Sequence, residues 1–297
     1  MSMEVELRQR AIKAFSAVDG ILVINMDSSP GRYASFLSSV GQYLPEGKVH
    51  RISAVAGRQL ETYGRKPWFT ENTGARASFW GGTGGCALSH RNAIAYAKAQ
   101  GWRNVLIFED DVFVELSQDS LELFESAVRN LSGAYMLYLG YHRPAPYGRK
   151  RMVNVTSTLW QTSGVLTTHA YVMSAELYDS VLNIMPQTDG DIWRWLSSYR
   201  AVDVLYRDFV AYWHGVKIYV MDPIICKQRD GESDIGLNAS HGESNACVQS
   251  PISIYSLRGV VHLLLYPFRC LKIKMNSWRT QFRARRGGLP GYKKRKK

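Results

Sequence analysis

The chain has 297 residues, 45% hydrophobic and 21% charged, so it can bury a sizeable core in one large domain or two small ones. With 25 glycines and 10 prolines, this composition excludes a collagen-like chain and a mostly disordered one. The net charge of +12 arises in residues 251–297, which hold 13 Lys or Arg and no Asp or Glu. Residues 1–250 carry 24 basic and 25 acidic groups, so this part of the chain need not bind nucleic acid.

The four cysteines, Cys86, Cys226, Cys247 and Cys270, are widely spaced and form no CxxC pair. A zinc site or a disulfide framework is therefore not expected, and free thiols fit a reducing compartment. The N-terminal segment lacks the apolar core of a secretory signal, and no stretch approaches the roughly 18 apolar residues of a membrane span. These observations predict a cytoplasmic protein.

The first elements predict a right-handed βαβ unit. Residues 21–24 form an unbroken apolar run, which is typical of a buried parallel strand. Ser29 followed by Pro30 predicts the start of a helix that runs to about Leu44. Residues 49–55 predict the second strand of the unit.

The next segment is rich in glycine and aromatic residues and has no clear period. We therefore predict a long loop over residues 61–85, and such loops are often functional. Residues 86–100 predict a helix that stops at Gly101. Residues 105–108 predict an apolar strand that leads directly into Glu109, Asp110 and Asp111.

The second half of the chain predicts three more strands and two helices. The strands are expected at residues 135–139, 169–173 and 216–220. A helix capped by Ser174 follows the second of these strands, and an aromatic-rich helix is expected over 191–199. This order predicts an α/β fold with a mostly parallel central sheet. Ligands bind beyond the carboxyl ends of such strands, where the acidic triplet falls.

The three consecutive carboxylates predict a metal site. Their mutual repulsion and desolvation would raise their pKa values, and a divalent cation such as Mn²⁺ or Mg²⁺ relieves both. In an extended segment Glu109 and Asp111 point to one side and Asp110 to the other. This alternation predicts Asp111 and Glu109 as the metal ligands. The alternative is a solvated acidic turn without a ligand.

A glycine-rich segment, GGTGGCALSHRNAI at residues 81–94, predicts close approach of the backbone to a ligand. The helix expected after it would offer free N–H groups to an anion, and Ser89 and His90 would lie in its first turns. No G-K-[ST] follows, so this is not a P-loop. A structural hydrogen bond is the alternative role for His90. Arg32, at the start of the first helix, could reach a diphosphate or simply be exposed.

Asp189 and Asp191 lie two residues apart, directly before the aromatic-rich helix. One could cap that helix while the other acts as a base, and capping alone is the alternative. No G-x-S-x-G or HExxH motif occurs, so serine hydrolase and zincin chemistry are unsupported.

Several of these motifs, in order, resemble glycosyltransferase family 25. The segment ILVINMDSSPGRYASF resembles the opening of that family, and RISAVAG at residues 51–57 is similar to its A-V-D-G segment. GGCALSH (84–90), IFEDDV (107–112), HAYVMS (169–174) and SDIG (233–236) also match, so the resemblance covers roughly residues 20–240. Ala56 stands where the family usually has Asp, so a polar role is not expected at that position.

The resemblance implies a GT-A-like, Rossmann-type glycosyltransferase domain over residues 1–250, followed by a basic amphipathic tail over 251–297. It implies an inverting transfer of a sugar, often galactose, from a UDP-sugar to a lipooligosaccharide or other glycan acceptor. A metal held by Asp111 would neutralise the leaving nucleotide. Inversion requires a base, for which Asp191 is predicted first and Asp189 second. The residues predicted to bind the donor are Asn25, Asp27, Arg32, Gly57, Ser89, His90, Glu109, Asp110, His169 and Tyr171.

The tail alternates apolar clusters with cations. The stretch VVHLLLY is too short to span a bilayer but can lie in its interface, where cations attract anionic lipids. We therefore expect peripheral contact with the inner face of the cytoplasmic membrane. The alternatives are a nucleic-acid arm and a solubilising tail.

The sequence leaves two other functions open. One is a catalytically inactive protein that binds a nucleotide-sugar or a membrane surface, and the intact acidic triplet argues against it. The other is a nucleotidyltransferase, which would normally carry a glycine-rich, basic loop after the first strand. The sequence NMDSSPGR is a poor match to such a loop.

Overall fold

The computed structural model describes residues 2–63, 74–142, 148–153, 158–162 and 165–229, together with nine residues between 257 and 275. The helices are α1 (Met3–Phe15), α2 (Pro30–Ser39), α3 (Gly74–Ala99), α4 (Gln118–Asn130), α5 (Tyr178–Ile184), α6 (Ile192–Tyr199) and α7 (Val202–Asp208). The strands are β1 (Gly20–Asn25), β2 (Val49–Ser53), β3 (Asn104–Glu109), β4 (Val112–Val114), β5 (Tyr135–His142), β6 (Gly148–Val153), β7 (Thr158–Thr162), β8 (Leu166–Ser174), β9 (Lys217–Asp222) and β10 (Cys226–Gln228). The expected division of the chain at residue 250 stays a prediction.

Eight of these strands form one central sheet, in the order β2-β1-β3-β8-β5-β9-β7-β6. β1 pairs in parallel with β2 and β3, and β5 pairs in parallel with β9. β8 is antiparallel to β3 and β5, and β7 is antiparallel to β9 and β6. Six of the eight strands therefore run in one direction. The α/β fold with a mostly parallel central sheet is confirmed.

The sheet is covered on both faces, as the apolar runs in its strands predict. Leu22 and Ile24 of β1 belong to one buried cluster, which also contains residues of α3. Ile21 and Val23 belong to a second cluster, which contains Phe36 of α2 and residues of α1 and α4. Successive residues of a strand face opposite sides, so an uninterrupted apolar strand requires a core on each side.

The predicted βαβ unit is confirmed, but two of its neighbouring elements differ from expectation. The first helix ends at Ser39, and a separate 3-10 turn covers Gly41–Tyr43. The predicted loop over residues 61–85 is wrong in its second part, because α3 already begins at Gly74. Residues 64–73 of that predicted loop lie outside the described residues.

The predicted cap at Ser174 is also wrong. A 3-10 turn, Ala175–Leu177, separates β8 from α5, and the Ser174 side chain does not bond to the helix start. Its hydroxyl donates to the Gly133 carbonyl at 3.0 Å and accepts from the Tyr135 N–H at 3.0 Å. Ser174 therefore joins β8 to the start of β5.

Within the parts of the chain that the structure describes, no helix has the length and hydropathy to cross a bilayer.

Candidate functional site

A cavity lies beyond the carboxyl ends of β1, β2 and β3, where the sequence predicted the site. Its wall comes from the segments that follow β1 and β2, from α3, and from the acidic triplet after β3. The lining residues are Ile24, Met26, Ser28, Arg32, Ala54, Val55, Ala56, Gly57, Arg58, Gln59, Gly82, Cys86, Ser89, His90, Glu109, Asp110 and Asp111. Six residues predicted to bind the donor are thus brought together: Arg32, Gly57, Ser89, His90, Glu109 and Asp110.

Asp110 is fixed by two neighbours from the first βαβ unit. Its Oδ2 accepts a hydrogen bond from Asn25 Nδ2 at 2.6 Å, and its Oδ1 pairs with the Arg32 guanidinium. Arg32 also lies 3.5 Å from Asp111 Oδ2. The side chains of Asp110 and Asp111 therefore both face the guanidinium group of Arg32. The expected alternation of the three side chains is wrong, because the extended backbone ends at Glu109 and the two aspartates form a turn.

Asp111 holds the least satisfied carboxylate of the triplet. Its side chain is 26% exposed, but its Oδ1 atom is shielded from solvent and has no hydrogen-bond partner in the structure. Burial and the nearby charge of Glu109 raise the pKa of Asp111 to about 7. An unpartnered carboxylate oxygen in such surroundings suits a hard cation.

Glu109 faces a different set of partners. Its Oε1 accepts from Thr168 Oγ1 at 2.9 Å and lies 3.4 Å from His90 Nε2. Burial raises the pKa of Glu109, but the hydrogen bond and charge of His90, with smaller contributions from His169 and Thr168, outweigh it and hold the pKa below its usual value. Glu109 is therefore an ionised carboxylate in a largely buried position.

His90 belongs to a buried hydrogen-bonded chain behind Glu109. Its Nδ1 lies 3.0 Å from the Tyr171 hydroxyl, which lies 3.4 Å from the Tyr206 hydroxyl. His90 is 1% exposed and Tyr171 is fully buried. His90 therefore contacts Glu109 at the cavity wall, while Tyr171 supports His90 from within the core. Tyr171, predicted to contact the donor, does not line the cavity.

The glycine-rich segment has a packing role that the sequence did not predict. A Cβ at Gly57 would lie 1.8 Å from the Gly81 carbonyl oxygen, and one at Gly85 would lie 2.3 Å from the Val55 carbonyl oxygen. The 3-10 turn at Gly57–Gln59 therefore packs backbone against backbone on α3. The expectation that a helix start after these glycines offers N–H groups to an anion is wrong, because they lie inside α3.

Ser89 secures the same contact from the next turn of α3. Its Oγ accepts from the Val55 N–H at 2.8 Å and donates to the Gly85 carbonyl at 2.7 Å. The segment after β2 is thus attached to α3 by a side chain as well as by close packing. This attachment positions Arg58 and Gln59 at the cavity wall.

Three other residues predicted to bind the donor lie outside the lining. Asn25 is buried and links Asp110 to Arg51, whose Nε donates to Asn25 Oδ1 at 2.8 Å. The Asp27 side chain is 69% exposed and pairs with Arg51. His169 is 1% exposed, and its Nε2 lies 3.4 Å from the Cys226 carbonyl oxygen. Asn25 therefore positions Asp110, and direct donor contact by these three residues has no support from their placement.

Asp189 and Asp191 form a 3-10 turn directly before α6. Asp191 Oδ2 accepts from the Thr188 Oγ1 at 3.0 Å and from the Thr188 N–H at 3.3 Å, which is a capping arrangement. The Asp189 carbonyl accepts from Thr62 Oγ1 at 3.1 Å. Neither aspartate lines the cavity, so the assignment of either as the base stays a prediction.

Sequence reasoning missed several residues at this site. Arg58 and Gln59 line the cavity, and the only signal for Arg58 is its position directly after Gly57. Gln228, at the end of β10, donates to Asp111 Oδ2 at 3.5 Å, and the Arg229 N–H donates to the Asp111 carbonyl at 2.8 Å. These partners are more than a hundred residues from Asp111, so no local pattern could identify them.

Replacing Thr168 with Val is expected to lower stability at neutral pH by about 2 kcal/mol, because a hydrogen bond to a buried carboxylate is lost. Against burial, which raises it, the pKa of Glu109 is held below its unfolded value mainly by His90, with a smaller contribution from this bond; the contribution of the bond to stability is therefore present above the unfolded pKa. The contribution is lost as the pH falls through the pKa of the folded state. Urea unfolding of both proteins over a range of pH measures the difference.

Thr168→Ser keeps the hydroxyl group and serves as the control. The difference in the free energy of unfolding between Thr168→Ser and the wild type should not change with pH. If the loss of unfolding free energy in Thr168→Val stays constant down to acidic pH, the hydroxyl group does not act on the Glu109 carboxylate.

The fold and this cavity together define the class of the protein: an α/β protein with a polar, carboxylate-lined site at the carboxyl ends of its strands. Residues 18–189 match the model of glycosyltransferase family 25, described as LPS biosynthesis protein, and this segment is more than half of the chain. The chain belongs to glycosyltransferase family 25. Its class of activity is accordingly that of a glycosyltransferase.

The chain is also similar, at low sequence identity, to proteins of known structure. No curated protein matches the chain. A mannose-1-phosphate geranyltransferase from Thermus thermophilus is 10% identical, with 68% of this chain and 73% of that one covered and a TM-score of 0.35. A putative glucose-1-phosphate thymidylyltransferase from Bacillus anthracis is 14% identical, with 80% and 79% covered and a TM-score of 0.36.

Proposed function

We propose that the protein is a metal-dependent, inverting hexosyltransferase with a GT-A-like fold. It would transfer galactose from UDP-galactose to a lipooligosaccharide or other glycan acceptor. The observation that carries the proposal is the cavity in which the family's acidic triplet meets two arginines, Arg32 and Arg58.

The charges in the cavity suit a nucleotide diphosphate. Arg32 and Arg58 line the wall and supply positive charge for phosphate oxygens. Arg32 is already oriented by Asp110, so the donor meets a guanidinium held in place. Glu109 is ionised and can accept hydrogen bonds from hydroxyl groups of the ribose or of the donor sugar.

The residues present also fit a divalent cation. Asp111 offers an unpartnered carboxylate oxygen, and both contacts to Glu109 engage its Oε1, which leaves Oε2 as a second ligand. Among the described residues no three His, Cys, Asp or Glu side chains form a metal-binding group, so the remaining ligands would be phosphate oxygens and water. Bound Mn²⁺ or Mg²⁺ would supply positive charge that stabilises the leaving nucleoside diphosphate.

The remaining chemical requirement is a base for the acceptor hydroxyl. Inversion needs a group that removes this proton on the side opposite the leaving nucleotide. Asp191 and Asp189 lie at the start of α6, outside the cavity lining. Either aspartate can act as the base only if the acceptor hydroxyl binds outside the cavity, near the start of α6.

Titration calorimetry with UDP, with and without Mn²⁺, tests the proposal. We expect at least tenfold tighter UDP binding in the presence of Mn²⁺, reversed by chelation, because Asp111 would hold the cation and the cation would supply positive charge for the diphosphate. A hydrolysis screen over several nucleotide-sugars then identifies the donor, and UDP-galactose should be turned over fastest.

Two results would contradict the proposal in different ways. UDP binding that does not depend on metal would remove the cation from the site. Metal-dependent binding without hydrolysis or transfer of any donor would indicate a nucleotide-sugar binding protein that has lost catalysis.

A further inference from the structure

The tail contains an exposed apolar helical face that the proposed transfer reaction does not use. Nine tail residues are described, and all are helical. Eight of them are large apolar residues with exposed side chains, which we call the tail face: Leu257, Val260, Val261, Leu264, Leu265, Phe268, Leu271 and Met275. Leu257, Leu264 and Phe268 are 82%, 67% and 68% exposed.

The spacing of the tail face is that of one side of a helix. Successive members are one, three or four residues apart, and at about 100° per residue they fall within an arc of about 140°. Eight aligned apolar side chains form a continuous stripe, and a stripe of this kind marks an interaction surface.

The charge of the tail selects the partner. Residues 251–297 carry 13 Lys or Arg and no acidic residue, whereas residues 1–250 have a net charge of −1. A second copy of the tail would bring like charges together, and the nearly neutral remainder of the chain offers no matching negative field. An anionic lipid surface satisfies both features, because acyl chains accept the apolar stripe and headgroups attract the cations.

We propose that the tail face inserts in the plane of an anionic membrane, with the cations of residues 251–297 attracted to the headgroups. The run of tail residues without Lys or Arg, 259–268, is shorter than the roughly 18 residues of a membrane span, so this helix would lie on the surface. This inference does not rest on the proposed transfer reaction, because the tail face is separate from the cavity. Membrane binding and UDP binding can therefore fail independently.

Co-sedimentation of the full-length protein with vesicles tests the inference. The wild type should pellet with vesicles that contain phosphatidylglycerol and remain in the supernatant with pure phosphatidylcholine. The double variant Leu264→Asp with Phe268→Asp should lower the partition coefficient at least tenfold, because two charges enter the stripe. Raising the salt concentration should weaken binding of the wild type, since attraction between exposed charges is screened within about 10 Å at 0.1 M.

The matched control is Met3→Asp with Val5→Asp on α1. These residues are also apolar and exposed, at 88% and 43%, and the variant has the same change in net charge. It should bind vesicles like the wild type. Equal binding by the tail variant would overturn the inference, because the cations alone would then hold the protein. A wild-type dimer that the tail variant converts to a monomer would make a second copy the partner, and tighter binding to an RNA oligonucleotide than to vesicles would make it nucleic acid.

Discussion

Asp111→Asn is expected to lower metal-dependent transfer by about 10²–10³-fold while leaving the fold intact. Asp111 provides the unpartnered oxygen of the triplet and lies beside Arg32 at the cavity wall. An amide of the same shape keeps the side-chain volume but removes the charge that would hold the cation. Calorimetry should show that Mn²⁺ no longer strengthens UDP binding, and the melting temperature should equal or exceed that of the wild type. Removing one of three clustered carboxylates relieves repulsion and desolvation, which explains this direction.

Asp179→Asn is the control for this substitution. Asp179 lies on α5, its side chain is 74% exposed, and it pairs with Lys98 at the surface. The same chemical change there should leave both transfer and metal dependence at the level of the wild type. Transfer by Asp111→Asn at the rate of the wild type would refute the metal assignment.

Gly85→Ala is expected to lower stability by about 3 kcal/mol, which corresponds to roughly 6–12 °C in melting temperature. The new methyl group would lie 2.3 Å from the Val55 carbonyl oxygen and 2.6 Å from the Gly57 nitrogen. Both neighbours are backbone atoms, so no side-chain rotation can relieve the clash. The turn that carries Arg58 would have to move, so UDP binding should weaken as well.

Gly31→Ala in α2 separates this clash from the general effect of a glycine substitution. A Cβ at Gly31 meets nothing within 4 Å, and alanine favours a helix more than glycine does. Its melting temperature should equal or slightly exceed that of the wild type. If Gly85→Ala melts like the wild type, the turn at Gly57–Gln59 is not packed on α3 as described.

Elements with a local signal were predictable. The apolar runs at β1 and β3 and the cap-like Ser29-Pro30 pair place Asn25, Arg32 and the acidic triplet at one edge of the sheet. That placement is sufficient to locate the cavity. The prediction needed only strand periodicity and the tendency of parallel strands to end at the same edge.

Features that depend on distant partners were not predictable. Gly81 and Gly85 locally indicate a loop, because glycine destabilises a helix. In the structure this cost is offset by close packing of the backbone at Gly57 against both glycines, a contact that the local sequence does not reveal. Thr168 reaches Glu109 only because β8 inserts antiparallel beside β3. The order of elements along the chain does not predict that β8 lies beside β3.

The position of β9 has a consequence for the order in which the chain can be completed. β9 lies between β5 and β7 in the sheet, although it is made after both. During synthesis on the ribosome, the edges of β5 and β7 that it will join have no β9 to pair with until Lys217–Asp222 has emerged. Unpaired strand edges are templates for association with other chains. A nascent chain halted between β8 and β9 should therefore be more prone to aggregation than the finished protein.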